Sequence, residues 1–334
     1  MRAVIGRENM KSLAEKIKPY LQLLRIGNLA FLAILLYVME KWVVVPLLHL
    51  EKFPEQMPWW ILVLLILSTI CIAAGGYVIN DYFDVKIDRI NRPDDMVVTR
   101  VISREGAMRW FYVLTAVGIT TGLATAWWAH SWNLLFIYVV IPGLLWFYSA
   151  SYKRMLLVGN LIVAFISALV PLIVAIIHAD YLQHLYGDSL AYTPIIGQLY
   201  IWLGGFALFS FLLTWAREVV KDMEDIEGDR EMECRTMPIV WGETASKVVV
   251  TILVVATMAL VSYIAWFVLP FPMEWSTLTS RFVVFGLLVP MVCVLVLLWF
   301  ARSKRELHTV QQVLKFAMFL GTMFSYVIYI NLMA

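Results

Sequence analysis

The chain is 334 residues long, 62% of its residues are hydrophobic, and only 15% are charged. Soluble domains are nearer half apolar and a quarter charged, so this composition excludes a soluble globular enzyme, a disordered regulator and a nucleic-acid-binding module. The formal net charge of +2 is too small to indicate a polyanionic partner. The three cysteines (Cys71, Cys234 and Cys293) are odd in number and widely spaced. The sequence therefore indicates neither a disulfide nor a CxxC metal site.

The first 27 residues have the pattern of a helix that lies on a membrane surface. Apolar residues recur at helical spacing, with lysines between them, and this pattern predicts an interfacial helix over residues 1–27. The apolar positions are Met10, Leu13, Ala14, Ile17, Leu21 and Leu24. The segment lacks the short basic stretch and small-residue cleavage site of a signal peptide. We expect a docking helix without chemistry.

Nine long apolar segments follow. A helix needs about 20 mostly apolar residues to cross the hydrocarbon core. The predicted spans are centred roughly on residues 28–48, 58–80, 107–128, 132–150, 156–178, 199–217, 246–269, 281–301 and 312–332. The first is the weakest because Glu40 and Lys41 interrupt it. We expect that pair near the outer end of the span or against another helix.

The basic residues are distributed unequally between the two sides. With a cytoplasmic N-terminus, all but three of the 26 Lys and Arg fall on the cytoplasmic side; the exceptions are Lys41, Lys52 and Arg281. This positive-inside bias predicts a multi-pass integral membrane protein with its N-terminus inside and its C-terminus outside. In a bacterium the location would be the inner membrane.

Two acidic segments, each expected in a cytoplasmic loop, follow the second and sixth spans in the same register. Asp222, Asp225 and Asp229 follow Asp81, Asp84 and Asp88 at a constant offset of 141 residues. The match predicts two pseudo-repeats, roughly 28–150 and 156–301, and a last helix at 312–332, within a single transmembrane domain over residues 28–334. Repeats of this kind commonly place a site at their interface.

The spacing within each triplet favours a metal site. Residues three and four apart share a helix face, so three carboxylates would line one side and repel each other. A divalent cation removes that repulsion, and carboxylate and amide oxygens suit Mg²⁺. Because Mg²⁺ usually takes further ligands from phosphates, two facing acidic helices predict a clamp for a diphosphate. The metal-ligand candidates are Asn80, Asp81, Asp84, Asp88, Asp222, Asp225 and Asp229.

Basic and polar residues occur beside these motifs. Each one alone is explained by the positive-inside bias, but their convergence on the acidic segments predicts diphosphate binding. The diphosphate-binding candidates are Lys153, Arg154, Arg217 and Lys221. Arg25, Asn28 and Tyr148 are candidates for the substrate pocket.

Four segments carry a resemblance to a known family. Residues 80–93 (NDYFDVKIDRINRP) resemble the first aspartate motif of the UbiA-type intramembrane prenyltransferases, and residues 217–242 resemble the second. Residues 148–154 (YSASYKR) are similar to the family's tyrosine–lysine loop, and residues 24–28 (LRIGN) to its N-terminal Arg/Asn segment. With nine spans and the same orientation, the resemblance covers essentially the whole chain.

The resemblance implies a fold and a reaction. The fold would be an all-α integral membrane bundle of about nine helices around a central cavity open to lipid. The reaction would be Mg²⁺-dependent transfer of a polyprenyl group from an isoprenyl diphosphate to a lipophilic or amphipathic acceptor, through an allylic carbocation. Surrounding membrane lipid would be the other partner, with no nucleic acid and no obligate protein partner.

The same resemblance implies roles for individual residues. Asn80, Asp84 and Asp88 would face one metal region and Asp225 and Asp229 the other, supported by Asp81 and Asp222. Lys153, Arg154 and Lys221 would neutralise the departing diphosphate. The residues expected to carry catalysis are Asp84, Asp88, Asp225, Asp229 and Lys153.

Two positions depart from the family pattern. After Pro93 the family usually has an acidic or variable residue, a basic residue and a second proline, whereas this chain continues Asp94-Asp95-Met96-Val97-Val98. Four residues after Asp229 the family often has glycine, and this chain has Glu233. The metal candidates are intact, but the closing geometry of the two segments is expected to differ.

The acceptor is predicted from weaker signals. The strings KDMEDIEGD and TMPIVWG resemble the branch that prenylates glycerol-phosphate lipids, as geranylgeranylglycerol-phosphate geranylgeranyltransferases do, more than the hydroxybenzoate branch. The alternative is an aromatic acceptor of hydroxybenzoate, dihydroxynaphthoate or homogentisate type, in quinone biosynthesis. No histidine is expected near the acidic segments. Four of the five histidines are assigned to the outer side, and His308 to the last cytoplasmic loop. A carboxylate or the diphosphate would then take the acceptor proton.

Three other classes make different demands on the sequence. A CDP-alcohol phosphotransferase would need a DG…AR segment joined to its aspartates, which neither motif supplies. An ion-coupled transporter would place carboxylates or broken helices near the midplane, whereas here the carboxylates cluster at one face. A purely structural membrane protein leaves the common register of the two motifs unexplained.

Overall fold

The computed structural model describes residues 17–53, 57–271, 273–274 and 277–333. In this part of the chain nine helices are long and apolar enough to cross a membrane, and no β-strand occurs. We label them α1 to α9 in chain order: Ile26–Leu50, Trp59–Asn91, Arg104–Trp128, Trp132–Ala150, Val158–Tyr192, Ile195–Glu224, Glu243–Val268, Leu278–Phe300 and Lys304–Met333. The prediction of an all-α bundle with nine spans is confirmed.

A short helix precedes α1. It covers residues 17–23, and Leu23 at its end is buried. Arg25 then adopts a left-handed backbone conformation with φ 50°, so this helix and α1 are not continuous. The remainder of the predicted interfacial helix, residues 1–16, lies outside the described residues. The assignment of residues 1–27 to the membrane surface stays a prediction.

α1 carries a buried charge in the middle of its apolar sequence. The helix passes through a π-helical stretch, Met39–Val44, that contains Glu40. Glu40 is 2% exposed, and its carboxylate pairs with the imidazole of His178 on α5. An unpaired carboxylate among apolar helices costs several kcal/mol. The prediction that this interruption lies against another helix is confirmed.

α2 is longer than predicted. Residues 80–91, expected to form a loop, are the last three turns of the helix. The helix continues because its sequence stays amphipathic: Val85 is buried in a cluster with Val98, Ile87 is also buried, and Lys86 is exposed. The first acidic segment is therefore helical throughout, and the loop assignment was wrong.

α6 ends within the second acidic segment, between Asp222 and Asp225. The helix stops at Glu224, Asp225 has φ −96° and ψ 8°, and a short helix follows at Ile226–Glu231. The three aspartates of this segment are therefore not on one continuous helix. The prediction of a single helix face holds for the first triplet and was wrong for the second.

Small residues set the distance between several neighbouring helices. A side chain at Gly122 of α3 would overlap the Tyr138 ring of α4, and one at Gly321 of α9 would overlap the Phe209 ring of α6. Where helices share a lipid environment, such small residues let them approach closely. Large aromatic side chains point outward instead; Phe267, for example, is 79% exposed. The outer surface is therefore the apolar one that a lipid environment requires.

Replacing Gly321 by leucine should destabilise the bundle. The new side chain must displace the Phe209 ring, and overpacking of this kind costs about 1–3 kcal/mol. Thermal unfolding in detergent micelles, followed by circular dichroism, should show a lower midpoint for Gly321→Leu. Gly143→Leu is the matched control, because a Cβ added at Gly143 has no neighbouring atom within 4 Å. Equal midpoints for the two variants would contradict the packing assignment.

Candidate active site

A cavity of about 300 Å³ lies between the ends of α2 and α6. Its lining includes twelve of the residues predicted from the sequence: Arg25, Asn80, Asp81, Asp84, Asp88, Tyr148, Lys153, Arg154, Lys221, Asp222, Asp225 and Asp229. Two predicted residues are not part of the lining. Asn28 is exposed on α1. Arg217 lies about one turn before Lys221 on α6, and its guanidinium pairs with Glu218. Both aspartate segments thus reach one space.

The first triplet lies on one face of α2. Asp81, Asp84 and Asp88 all line the cavity, whereas Lys86 and Arg89 on the same turns are exposed. The helical period places the three carboxylates together because successive members are three and four residues apart. The predicted alignment of this triplet is confirmed.

Two of the three carboxylates of the first motif have polar partners. The Arg25 guanidinium Nη2 lies 2.9 Å from Asp81 Oδ1. The Lys153 ammonium, from the turn after α4, pairs with Asp84. Asn80 Nδ2 also donates to Asp84 Oδ2 at 2.7 Å. The charges of Asp81 and Asp84 are therefore balanced by side chains from two other elements.

The second motif is balanced in the same way, by residues that the sequence did not single out. Arg92 Nη2, just beyond α2, lies 3.1 Å from Asp225 Oδ2. Asn160 Nδ2, near the start of α5, donates to Asp222 Oδ2 at 2.9 Å. Arg92 lies just beyond the first motif, so its pair with Asp225 ties the two motifs together at the cavity.

A buried asparagine joins the end of α2 to the second motif. Asn91, which is 8% exposed, donates from Nδ2 to the Asp225 carbonyl at 3.1 Å and accepts from the Gly228 N–H at 3.1 Å. Gly228 is required there because a Cβ would lie 2.6 Å from Asn91 Nδ2. The Lys304 ammonium, on the first residue of α9, donates to the Asn91 carbonyl at 2.8 Å. These bonds set the position of the broken helix at Asp225.

The start of α9 also contacts the end of α6. His308 Nδ1 lies 3.3 Å from Glu224 Oε1, and Gln311 donates to the same carboxylate. The expectation that no histidine lies near the acidic segments was therefore wrong, since Glu224 directly precedes Asp225. Neither Glu224 nor His308 lines the cavity, so this contact holds the second acidic segment from outside the cavity.

The electrostatics of the cavity reflect its excess of carboxylates. Burial and the charge of Asp225 raise the pKa of Asp229 to about 6. Burial lowers the pKa of Lys153, and Asp84 opposes that shift by favouring the ammonium form. Lys221 has no hydrogen-bonded or ion-paired side-chain partner among the described residues. Among the described residues the Arg154 guanidinium likewise has no such partner. The cavity therefore offers two uncommitted cations and several carboxylates that gain from a positive ion.

The donor set fits a hard divalent cation in its chemistry. All candidate ligands are carboxylate or amide oxygens, the type that Mg²⁺ prefers. In the part of the chain that the structure describes, however, no three Asp, Glu, His or Cys side chains converge closely enough to hold an ion by themselves. Mg²⁺ needs only one or two protein carboxylates when phosphate oxygens complete its shell. The predicted ligands share one cavity but do not form a closed metal cage.

Several residues of the site escaped the sequence reasoning. Gln22, Arg92 and Asn160 line the cavity. In the sequence, Arg92 was noted only as part of the first aspartate motif. A signal for Asn160 existed, because a lone amide at the start of an apolar span is costly unless it has a partner. No comparable signal marked Asn91 or Gln22, which depend on how the helices meet.

The two departures from the family pattern have structural counterparts. Met96, at the position where the resemblance implies a second proline, lines the cavity together with Val97. Glu233, where glycine is usual, has φ 55°. This is the left-handed region that favours glycine, so Glu233 holds a backbone conformation that glycine adopts with less strain.

Curated proteins from archaea are similar to this chain. The digeranylgeranylglyceryl phosphate synthase of Thermococcus kodakarensis is 34% identical over 59% of this chain and 62% of its own length. The digeranylgeranylglyceryl phosphate synthase of Sulfolobus acidocaldarius is 34% identical over 71% of this chain and 74% of its own length. This chain therefore spans less than two thirds of the Thermococcus protein but about three quarters of the Sulfolobus protein.

Solved structures share the fold. A digeranylgeranylglyceryl phosphate synthase matches with a TM-score of 0.58 and 24% identity, over 94% of this chain and 99% of its own. A UbiA homologue from Archaeoglobus fulgidus, bound to DMAPP and Mg²⁺, matches with a TM-score of 0.53 and 16% identity over 92% of this chain and 99% of its own. The model of the UbiA prenyltransferase family matches residues 49–323. With both aspartate segments inside that match, the chain belongs to the UbiA prenyltransferase family.

Proposed function

We propose that this protein transfers a polyprenyl group from an isoprenyl diphosphate to a lipid acceptor with a glyceryl phosphate headgroup, with Mg²⁺ as cofactor. The observation that carries the proposal is the convergence of both aspartate motifs and the cations Lys153, Arg154 and Lys221 on one cavity. A diphosphate needs that combination, because its charge is balanced partly by metal ions and partly by ammonium and guanidinium groups.

The cations of the cavity suit diphosphate binding. Lys221 is uncommitted, so it can contact a phosphate oxygen without breaking an existing pair. Lys153 is paired with Asp84, and a diphosphate would compete for that ammonium. Bound Mg²⁺ would supply a further positive charge to the leaving diphosphate. The residues that we assign to the metal are Asn80 and the six aspartates of the two motifs.

The chemistry requires departure of a diphosphate and capture of an allylic carbocation. The carbon–oxygen bond of the donor breaks, the diphosphate keeps the electron pair, and an acceptor hydroxyl oxygen attacks the prenyl carbon. Lys153, Arg154 and Lys221 stabilise the charge that develops on the diphosphate. The Tyr148 ring lines the cavity, where an aromatic face can stabilise a cation. The acceptor proton passes to the diphosphate or to a nearby carboxylate.

The names of the archaeal relatives support the acceptor. Both are digeranylgeranylglyceryl phosphate synthases, whose product carries two geranylgeranyl groups on glyceryl phosphate. By this analogy the donor is geranylgeranyl diphosphate and the acceptor is geranylgeranylglyceryl phosphate. An aromatic acceptor of the quinone pathways is the alternative. The transporter and CDP-alcohol phosphotransferase hypotheses lose support because the chain belongs to a prenyltransferase family.

The same proposal places the site at the cytoplasmic side of the membrane. The nine apolar helices make the protein an integral, multi-pass membrane protein. The distribution of Lys and Arg supports an N-terminus and two aspartate motifs on the cytoplasmic side. We also retain the division into two pseudo-repeats within one transmembrane domain, which the common register of the motifs supports.

An acceptor screen tests the proposed function. Purified protein in detergent receives radiolabelled geranylgeranyl diphosphate, Mg²⁺ and one acceptor at a time: geranylgeranylglyceryl phosphate, hydroxybenzoate, dihydroxynaphthoate or homogentisate. We expect labelled product with the glyceryl phosphate lipid, and none when EDTA removes the metal. Product with an aromatic acceptor alone would replace the acceptor, and no transfer to any acceptor would reject the function.

Removing one carboxylate from each motif should abolish most turnover. Asp84→Ala and Asp225→Ala remove groups that we assign to Mg²⁺, and the loss of about 3 kcal/mol of transition-state stabilisation corresponds to roughly a hundredfold. The measurement is the initial rate at saturating donor and acceptor. Glu227→Ala is the matched control, since this exposed carboxylate follows Asp225 by two residues and is not part of the lining. Wild-type rates in both aspartate variants would reject the assignment.

Asn91→Ala should raise the Mg²⁺ concentration that gives half-maximal activity. The variant loses both hydrogen bonds that hold the backbone around Asp225, so the second motif no longer has a defined position relative to the first. We expect about a thirtyfold rise, since two hydrogen bonds at roughly 1 kcal/mol each are lost. Arg89→Ala, an exposed change on the same helix, should leave the requirement unchanged. An unaltered requirement in Asn91→Ala would show that the motif is positioned by other contacts.

A further inference from the structure

A second group of cations lies outside the cavity, where α1, α6 and α9 meet. Lys315 on α9 is exposed. It lies between Gln311 and Gly321, which contact Glu224 and Phe209 of α6, so it is level with Arg217 and Glu218. The charged groups near enough to act on its ammonium are Arg217, Arg25, Glu218 and Arg92. Three of these four neighbours are positive. The Lys315 ammonium has no hydrogen-bonded or ion-paired partner among the described residues. Neither Lys315 nor Arg217 lines the aspartate cavity.

The existing carboxylates do not neutralise this group. The Glu218 carboxylate pairs with Arg217, and Asp81 pairs with Arg25. Lys315 is left as an additional positive charge beside two guanidinium groups that already have their partners. Like charges gathered at a partly apolar surface repel each other, and an anion between them removes the repulsion. The arrangement mirrors the aspartate cavity with the opposite sign.

The position of Lys315 along α9 suits a lipid headgroup. It lies about three turns after the first residue of the helix, roughly 16 Å along the axis. The polar first turns of α9 precede it, and Phe316 and Phe319, both exposed, follow it. Phe319 contacts Phe31 of α1, with ring centroids 6.4 Å apart. Lys315 therefore lies at the cytoplasmic end of the interface between α1 and α9. Apolar side chains below a cation match an amphipathic lipid with an anionic head.

We propose that Lys315 and Arg217 bind the phosphate group of the acceptor lipid. The inference rests on the proposed function, which brings two separate anions to the protein: the diphosphate of the donor and the phosphate monoester of the acceptor. Lys153, Arg154 and Lys221 line the metal-binding cavity and serve the diphosphate. The acceptor phosphate needs cations that the diphosphate does not occupy, and Lys315 and Arg217 are such cations.

Arg25 lies between the two anion sites. Its guanidinium lines the aspartate cavity, pairs with Asp81 and lies 4.8 Å from the centroid of the Tyr77 ring. It is also among the charged groups near enough to act on the Lys315 ammonium. An acceptor whose phosphate sits on Lys315 and Arg217 would therefore direct its glycerol hydroxyl past Arg25 toward the cavity. The sequence assigned Arg217 to the diphosphate; its position outside the cavity gives it this other role.

Acceptor kinetics test the proposal. The Michaelis constants for geranylgeranylglyceryl phosphate, for its dephosphorylated form geranylgeranylglycerol and for geranylgeranyl diphosphate are measured separately in phosphatidylcholine vesicles. We expect Lys315→Gln to raise the constant for the phosphorylated acceptor at least about tenfold, as for the loss of a charge-assisted hydrogen bond. The constants for the neutral acceptor and the diphosphate should not change. Lys315→Arg should restore the wild-type value.

Controls separate this proposal from the proposed function. Arg305→Gln removes an exposed cation from the same helix, about 15 Å away along the axis, and should have no effect. Wild-type turnover of the phosphorylated acceptor with an unchanged constant in Lys315→Gln would overturn the phosphate site alone. No wild-type turnover of that acceptor would overturn both proposals. Inhibition by added phosphatidylglycerol that depends on Lys315 would show a site for bulk anionic lipid and would overturn its assignment to the acceptor.

Discussion

The crowding of carboxylates at one end of an apolar bundle is the constraint on which the rest of this structure depends. Six aspartates in two triplets share one small cavity, and their repulsion is relieved by basic and amide side chains from other elements. Arg25 reaches Asp81, Lys153 reaches Asp84, and Arg92 reaches Asp225. Under the proposed function, Mg²⁺ and the diphosphate would exchange with these pairs. The charge balance among these side chains is therefore the one that the proposed substrate would alter.

Holding the two acidic segments together also requires contacts outside the cavity. Asn91 binds the backbone on both sides of Ile226, and the start of α9 holds Asn91 through Lys304 and Glu224 through His308. These contacts lie behind the cavity, so they fix its walls without competing for the substrate. The Glu40–His178 pair is different in kind, since it is fully buried between α1 and α5 and belongs to the packing of the bundle.

Much of the fold follows from local features of the sequence. Apolar runs of helical length predicted nine spans, and the spacing of Asp81, Asp84 and Asp88 placed them on one helix face, as the structure confirms. The limits of the helices were less accessible. α2 continues to Asn91 because Val85 is buried by residues beyond the helix, and α6 breaks at Asp225 although the aspartates there have the same spacing as those of α2. Helix ends depend on tertiary partners, which a local pattern does not contain.

The sequence by itself determined which residues are charged within an otherwise apolar chain, and hence the membrane class, the helix faces and the two matched motifs. Only the tertiary structure decided which of those charges meet. It placed Lys153 and Lys221 in the aspartate cavity and Arg217 outside it, beside Lys315 of a helix far along the chain. It also brought in Asn160 and Arg92. The reason is physical: helical periodicity is set by neighbouring residues, whereas contacts between helices are set by how all nine pack together.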